Sequence, residues 1–268
     1  MSDLQTKERP AASPPGGPGR DPSRRPLLLS HVGRWGRARR WLPAGVRRVL
    51  DVGCAFGYGT AALQGGGASP PWVVGIERDE EHVGHAGRAY PWLPFLRADA
   101  QALPFGDGSV DAVVMLDIVE HMADPSAVFV EARRVLRPGG CLVVSVPYKG
   151  PLTWLDPNNV YNALRNRWPS WPPLDGFDES ASGTHRHFTV DELRTLLGPG
   201  FVVDRVARTG VGASEVMVLG FRIAFVALLR WRSVYRMLLP LHLITYLIDD
   251  MIPAGPLGYH LTLRARAL

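Results

Sequence analysis

The sequence predicts an α/β protein built on a parallel sheet with helices on both faces. Three observations carry that expectation. Between residues 45 and 146, short apolar runs alternate with longer helical stretches. The apolar runs are nearly continuous, as in strands buried on both sides. The first of them enters "VLDVGCAFGYGT" at 49–60, where Gly53, Gly57 and Gly59 allow a sharp turn and close approach of a ligand.

Taken in order, "VRRVLDVG" reads as a strand and "GTAALQ" as a short helix. "WVVGIE" is a strand, and "DEEHVGHAGRAY" is a polar helix opening on Asp79. "FLRAD" is a short strand, "VDAVVML" a longer one, and "DPSAVFVEARRVL" a helix stopped by Pro138-Gly139-Gly140. "CLVVSV" is the fifth strand. Right-handed crossovers then bring the glycine turn and the neighbouring strand ends to one edge, where ligands bind in such sheets.

Residues 147–184 hold six prolines, three tryptophans and four asparagines, too aromatic for a linker and too long for an ordinary loop. "TVDELRTLL" is a helix with Thr189 as N-cap and Glu192 as its capping-box partner. "FVVDRVAR" is a strand, and "GYHLTLRARA" alternates like a half-buried one. Between those two strands lies an apolar, largely helical insert, residues 211–256. At the other end, residues 1–26 have few large apolar side chains and read as a disordered tail, leaving one domain over 27–268. "RRPLLL" is followed by "HVGRWGRARR" instead of an apolar stretch, which argues against export and for a cytoplasmic protein.

The charge is +5, and Arg205 to the end contributes eight arginines against Glu215, Asp249 and Asp250. Such a balance suits nucleic acid, an acidic membrane or neither. Cys54 and Cys141 are too few for a zinc site and read as small buried residues.

Three cofactor classes use a glycine turn at this place. A phosphate-gripping loop needs Gly-Lys-Ser/Thr, and Gly59-Thr60 lacks the lysine. The dinucleotide pattern wants glycines where Ala55 and Tyr58 stand. S-adenosylmethionine carries a sulfonium and an ammonium and calls for acidic groups. Asp51, Glu77, Asp99, Asp117 and Glu120 all fall at or just past strand ends.

With those residues in place, the run 49–146 resembles the class I S-adenosylmethionine-dependent methyltransferases of the ubiquinone-biosynthesis-like group. The matching motifs are "VLDVGCAFGYGT", "VVGIERD", "ADAQALPFGDGSVDAVVMLDIVEHMADP" and "RVLRPGGCLVVSVP"; the later "THRHFTVDEL" also resembles the family. The resemblance implies a Rossmann-like, seven-stranded, mostly parallel sheet with the last strand antiparallel. It implies Asp51 and Gly53 at the methionine end, with Cys54, Gly57 and Gly59 in the turn. Glu77 takes the ribose hydroxyls, Asp99 with Ala100 the adenine, and Leu116 and Asp117 the methionine ammonium. Ala55 departs from the family's commonest glycine.

Methyl transfer is an in-line displacement, in which the protein aligns the nucleophile and excludes water. An alcohol acceptor also needs a base. His185 or His187, then His121, are the candidates, with Tyr148 and Tyr161 on the same edge. His185 and His187 have no third metal ligand beside them, and His82 and His85 fall on the polar helix. Residues 147–184 read as the acceptor lid, with Tyr148, Trp154, Tyr161 and Trp171 lining the substrate site. The leading function is O-methylation of a small-molecule or lipid-linked acceptor. A nucleic-acid methyltransferase is disfavoured, because the Asn/Asp-Pro-Pro-Tyr motif and any RNA-binding appendage are absent. A non-catalytic interaction platform is disfavoured by the intact acidic set.

The insert predicts peripheral docking on an anionic membrane through 215–248. Wound as one helix, 215–236 puts Glu215, Arg222, Arg230, Arg232 and Arg236 within an arc of roughly 160°. Val216, Ile223, Ala227, Trp231, Val234 and Leu238 fall opposite. Arginines interrupt the first apolar run, so the insert lies on a membrane and does not span it.

Overall fold

The computed structural model describes residues 32–65, 71–171 and 186–268. The expected tail, residues 172–184 of the expected lid and His185 therefore lie outside the described residues. Seven strands form one sheet: β1 (Arg48–Val52), β2 (Trp72–Glu77), β3 (Phe95–Arg97), β4 (Val110–Leu116), β5 (Leu136–Pro147), β6 (Phe201–Thr209) and β7 (His260–Ala267). The order is β3-β2-β1-β4-β5-β7-β6. β7 runs antiparallel to both of its neighbours, and the pairings among β1 to β5 are parallel.

Side-chain alternation sorts the continuous apolar strands into two cores. Leu50, Val52, Val113, Met115, Leu142 and Val144 face one side, where they pack with Phe129 of helix α4 (Pro125–Val135) and Leu193 of α6 (Val190–Leu197). Val49, Ala112, Val114, Cys141 and Val143 face the other, against Ala38 of α1 (Gly33–Trp41) and Leu63 of α2 (Tyr58–Gln64). Burial on both faces explains why no strand of this group shows a polar alternation.

The expected caps are present. Asp79 accepts from His82 N at the start of α3 (Glu80–Ala89), and Thr189 and Glu192 form a reciprocal capping box on α6. Pro138-Gly139-Gly140 does not end a helix, however. α4 stops at Val135, and the Pro-Gly-Gly run enters β5 through an irregular register. Helix α1 was not anticipated, because "GRWGRARRW" has no clear apolar stripe; it forms by burying Arg34 and Arg37 on polar partners.

Two segments set the site's surroundings. After β5, a single 3-10 turn (Thr153–Leu155) leads into α5 (Pro157–Arg167), capped by Asp156. The insert before β7 corrects the single-helix expectation. It holds α7 (Ala213–Phe221), a π-helical stretch (Arg222–Leu228), and α8 (Arg232–Asp249). A corner at Leu229–Trp231 separates them, with Arg230 in the left-handed region at φ 56°. Glu215 and Arg222, expected on the headgroup side, are buried. Arg222 donates to Asn158 Oδ1 at 2.5 Å and lies 3.5 Å from Tyr235 Oη. A helical wheel cannot anticipate this, because it assumes that polar residues seek water. Here they meet buried polar partners instead.

Candidate active site

The carboxyl ends of β1, β2, β4 and β5 form one edge of the sheet, and the glycine turn lies there. Gly53 and Gly57 have φ of 79° and 84°, in the region that favours glycine. A methyl on Gly57 would come within 2.8 Å of the Phe95 ring. Ala55 takes the same left-handed region at φ 43°, so the departure from glycine is accommodated at a conformational cost. Its N–H donates to Glu77 Oε2 at 3.0 Å, which ties the turn to the end of β2. Phe56, exposed in the turn, packs against the rings of His82 and His85 on α3. Those two histidines therefore flank the turn instead of only facing solvent.

The acidic set converges on this edge. Asp51 is buried beneath the turn and accepts from Thr60 Oγ1 at 2.7 Å. Burial pushes its carboxyl up to about 6, which the Thr60 bond only partly offsets. Glu77 is half-buried, and its Oε1 accepts from the N–H groups of Arg78 and Asp79. Asp99 is exposed and accepts from Gln101 N, with Ala100 buried beside it. Cys54 is a buried free thiol whose pKa burial raises, so it stays neutral in the turn. Carboxylates of two kinds, buried and accessible, line a turn whose glycines leave room. That arrangement fits a ligand with a cationic end and a hydroxyl-bearing end.

Leu116 closes β4, and Asp117 follows it at φ 57°, another left-handed non-glycine residue. The Asp117 carboxylate pairs with the Arg34 guanidinium from α1. Burial, with Glu120, Asp250 and Glu215 close by, pushes the Asp117 carboxyl up; the Arg34 charge pulls the other way. Glu120 is buried in the turn after β4, and His121 beside it is half-buried.

Beyond Asp117 the structure assembles a buried ionisable cluster that the sequence did not show. Because β7 is antiparallel, its first residue, His260, pairs with Pro147 at the end of β5 and Thr209 at the end of β6. Arg34 reaches His260 Nδ1 at 3.0 Å, and Glu215 Oε1 lies 3.9 Å from His260 Nε2. Asp156 accepts from Tyr259 Oη at 3.2 Å and lies 3.3 Å from His187 Nε2. Burial above all, then the charge of Asp156, raises the Glu215 carboxyl to about 7. Asp250 behaves differently: burial would raise it, but Arg34, His260 and Arg37 hold it below the usual carboxylate range. Asp156 was readable as a helix cap, since Asp-Pro opens helices. Nothing local marked Arg34, Glu215, Tyr259 or His260.

The expected lid aromatics occupy different environments. Tyr161 is fully buried, Trp154 is 70 % exposed, and Trp171 stacks on Trp168 at 5.7 Å. Tyr148 is half-buried under the Arg208 guanidinium. A cleft of about 820 Å³ opens beside this segment, lined by Lys149, Thr153, His187, Phe188 and Glu192 among others. No group of three or more metal-ligating side chains occurs among the described residues.

The sheet order is that of a Rossmann-like fold, with the glycine turn and the acidic set on its ligand-binding edge. Comparison with known proteins agrees: residues 50–144 match the family model described as a methyltransferase domain. Residues 50–144 are thus similar to a methyltransferase domain, and S-adenosylmethionine is the cofactor that this similarity implies. The match is to the class, without separating the ubiquinone-biosynthesis-like group. A protein of Mycolicibacterium smegmatis described as a "probable S-adenosylmethionine-dependent methyltransferase" is 38% identical over 101 residues, 38% of either chain. The chain thus spans under two fifths of that relative's length. Among solved structures, a methyltransferase of Thermotoga maritima has a TM-score of 0.57 at 18% identity, covering 90% of this chain and 92% of that one. The [4+2]-cyclase SpnF has a TM-score of 0.52 at 20% identity, covering 83% and 75%. Both show the fold, and the second shows that the fold alone does not name a reaction.

Proposed function

We propose that this protein methylates an oxygen of a small-molecule or lipid-linked acceptor. In this reading, S-adenosylmethionine supplies the methyl group. Glu77 would hold its ribose hydroxyls, Asp99 with Ala100 its adenine, and Asp51, Gly53 and Asp117 its cationic methionine end. Glu77 Oε2 accepts one backbone N–H and keeps a lone pair for a ribose hydroxyl, whereas Oε1 already accepts two. The acceptor would enter beside His187 and face the buried cluster, which excludes water from the transfer.

The observation that carries the oxygen assignment is Glu215. A hydroxyl becomes acidic as its oxygen gains the methyl group, and a base with a pKa near 7 suits that proton. His260, held at Nδ1 by Arg34, and the Asp156–His187 pair would orient the acceptor. Transfer of tritium from methyl-labelled cofactor into a cell extract, resolved into lipid, aqueous and nucleic-acid fractions, tests this. The expected product is a methyl ether or ester, with Glu215→Gln losing about a hundredfold in rate while binding cofactor normally. Label on nucleic acid or on nitrogen would overturn the reading.

A further inference from the structure

Helix α8 turns a row of large apolar side chains outward. Met237, Leu241, Ile244 and Ile248 recur at steps of four, three and four, which places them within an arc of about 60°. They are 77, 47, 55 and 60 % exposed. The row is extended by exposed Leu228, Leu229 and Trp231 at the corner before α8, and by Met251 and Ile252 after it. It overlaps only in part with the face that a single-helix wheel gives: Val216 and Trp231 are exposed, but Ala227 is buried, and Val234 and Leu238 are half-buried. A contiguous apolar surface of this kind on a globular domain marks a docking site.

Charge identifies the occupant. From Val216 to Ile248 the chain holds four arginines and no aspartate or glutamate. Arg222 is turned inward, while Arg230 and Arg236 are exposed beside the apolar row. A second copy meeting this face about a twofold axis would bring arginine against arginine, whereas anionic headgroups complement it. Trp231 stands in the corner, and tryptophan favours the headgroup boundary. No helix among the described residues is long and apolar enough to cross a membrane, so α8 would lie in the plane of one.

We infer that α8 and the Leu228–Trp231 corner dock on an anionic membrane surface, with Met237, Leu241, Ile244 and Ile248 at the acyl boundary and Arg230 and Arg236 on the headgroups. The docked helix ends beside the site. Asp250, just past α8, accepts from Arg34 N at 2.5 Å, and Arg34 in turn pairs with Asp117. Docking therefore brings the cofactor edge to the bilayer, where a lipid-linked acceptor would be met. Only this last consequence rests on the proposed function.

Flotation of the full chain with phosphatidylcholine vesicles, and with vesicles containing phosphatidylglycerol as well, tests the inference. Wild type should float with the anionic vesicles only. Arg230→Glu/Arg236→Glu should weaken that binding about thirtyfold or more, and Met237→Ser/Ile244→Ser should abolish it. All four positions are exposed, so both variants should keep wild-type circular dichroism and cofactor binding. Binding to neither vesicle, or equal binding by wild type and variants, overturns the inference. A concentration-dependent dimer dissolved by Met237→Ser/Ile244→Ser, without flotation, would assign the face to a second copy instead. Cofactor titration by calorimetry reports on the methyltransferase reading separately, since docking can fail while cofactor still binds.

Discussion

Replacing Glu215 by glutamine removes an ionisable group while keeping its volume. Burial raises this carboxyl from 4.5 to about 7. The folded protein thus holds the Glu215 proton more tightly than the unfolded chain does. That preference contributes stability below about pH 4.5 and is lost as pH rises through 7. Each tenfold in proton affinity is worth about 1.4 kcal/mol, so the loss comes to about 3 kcal/mol. With a urea dependence of about 3 kcal/mol per molar, the unfolding midpoint should fall by about 1 M from this group alone. Asp51, raised to about 6, titrates in the same interval but is unchanged in the variant. Comparing the two proteins therefore isolates Glu215. Urea unfolding followed by circular dichroism from pH 4.5 to pH 8 should show a markedly flatter profile for Glu215→Gln than for wild type. Parallel profiles would mean that Glu215 is ionised in the folded protein throughout. Its burial against Asp156 and His260 could then not be the physical basis of a neutral-pH base.

Three further outcomes follow from the same structure. Glu77→Ala and Asp99→Ala should each weaken S-adenosylmethionine and its demethylated product about tenfold or more by calorimetry, with folding intact; unchanged binding by both would remove the cofactor assignment at these positions. Gly57→Ala must place a methyl at φ 84° against the Phe95 ring and Ala86 Cβ. It should cost about 2–4 kcal/mol in urea unfolding and weaken cofactor binding. Tyr161→Ala should cost about 3–5 kcal/mol because the ring is fully buried, whereas exposed Trp154→Ala should stay within about 0.5 kcal/mol. Equal effects at the two positions would contradict the different environments described for them.

The glycine turn, the strand ends and the caps of α3 and α6 were legible in the sequence because local physics sets them. A left-handed turn needs glycines at fixed offsets, a doubly buried strand needs an apolar run, and a cap needs its partner three residues on. Those features put Asp51, Glu77, Asp99 and Asp117 on one edge of the sheet. Tertiary structure decided the rest. His260 reaches that edge only because β7 is antiparallel, so that its first residue lies where its neighbours end. Arg34 and Asp250, 216 residues apart in sequence, meet only when α1 and the end of α8 close over β4. Glu215 and Arg222 read as solvent-facing charges by periodicity alone. Their burial depends on Asn158, Tyr235 and His260, supplied by other elements. A periodic pattern fixes which face of a helix is apolar, but it carries no information about which polar groups elsewhere in the fold can replace water.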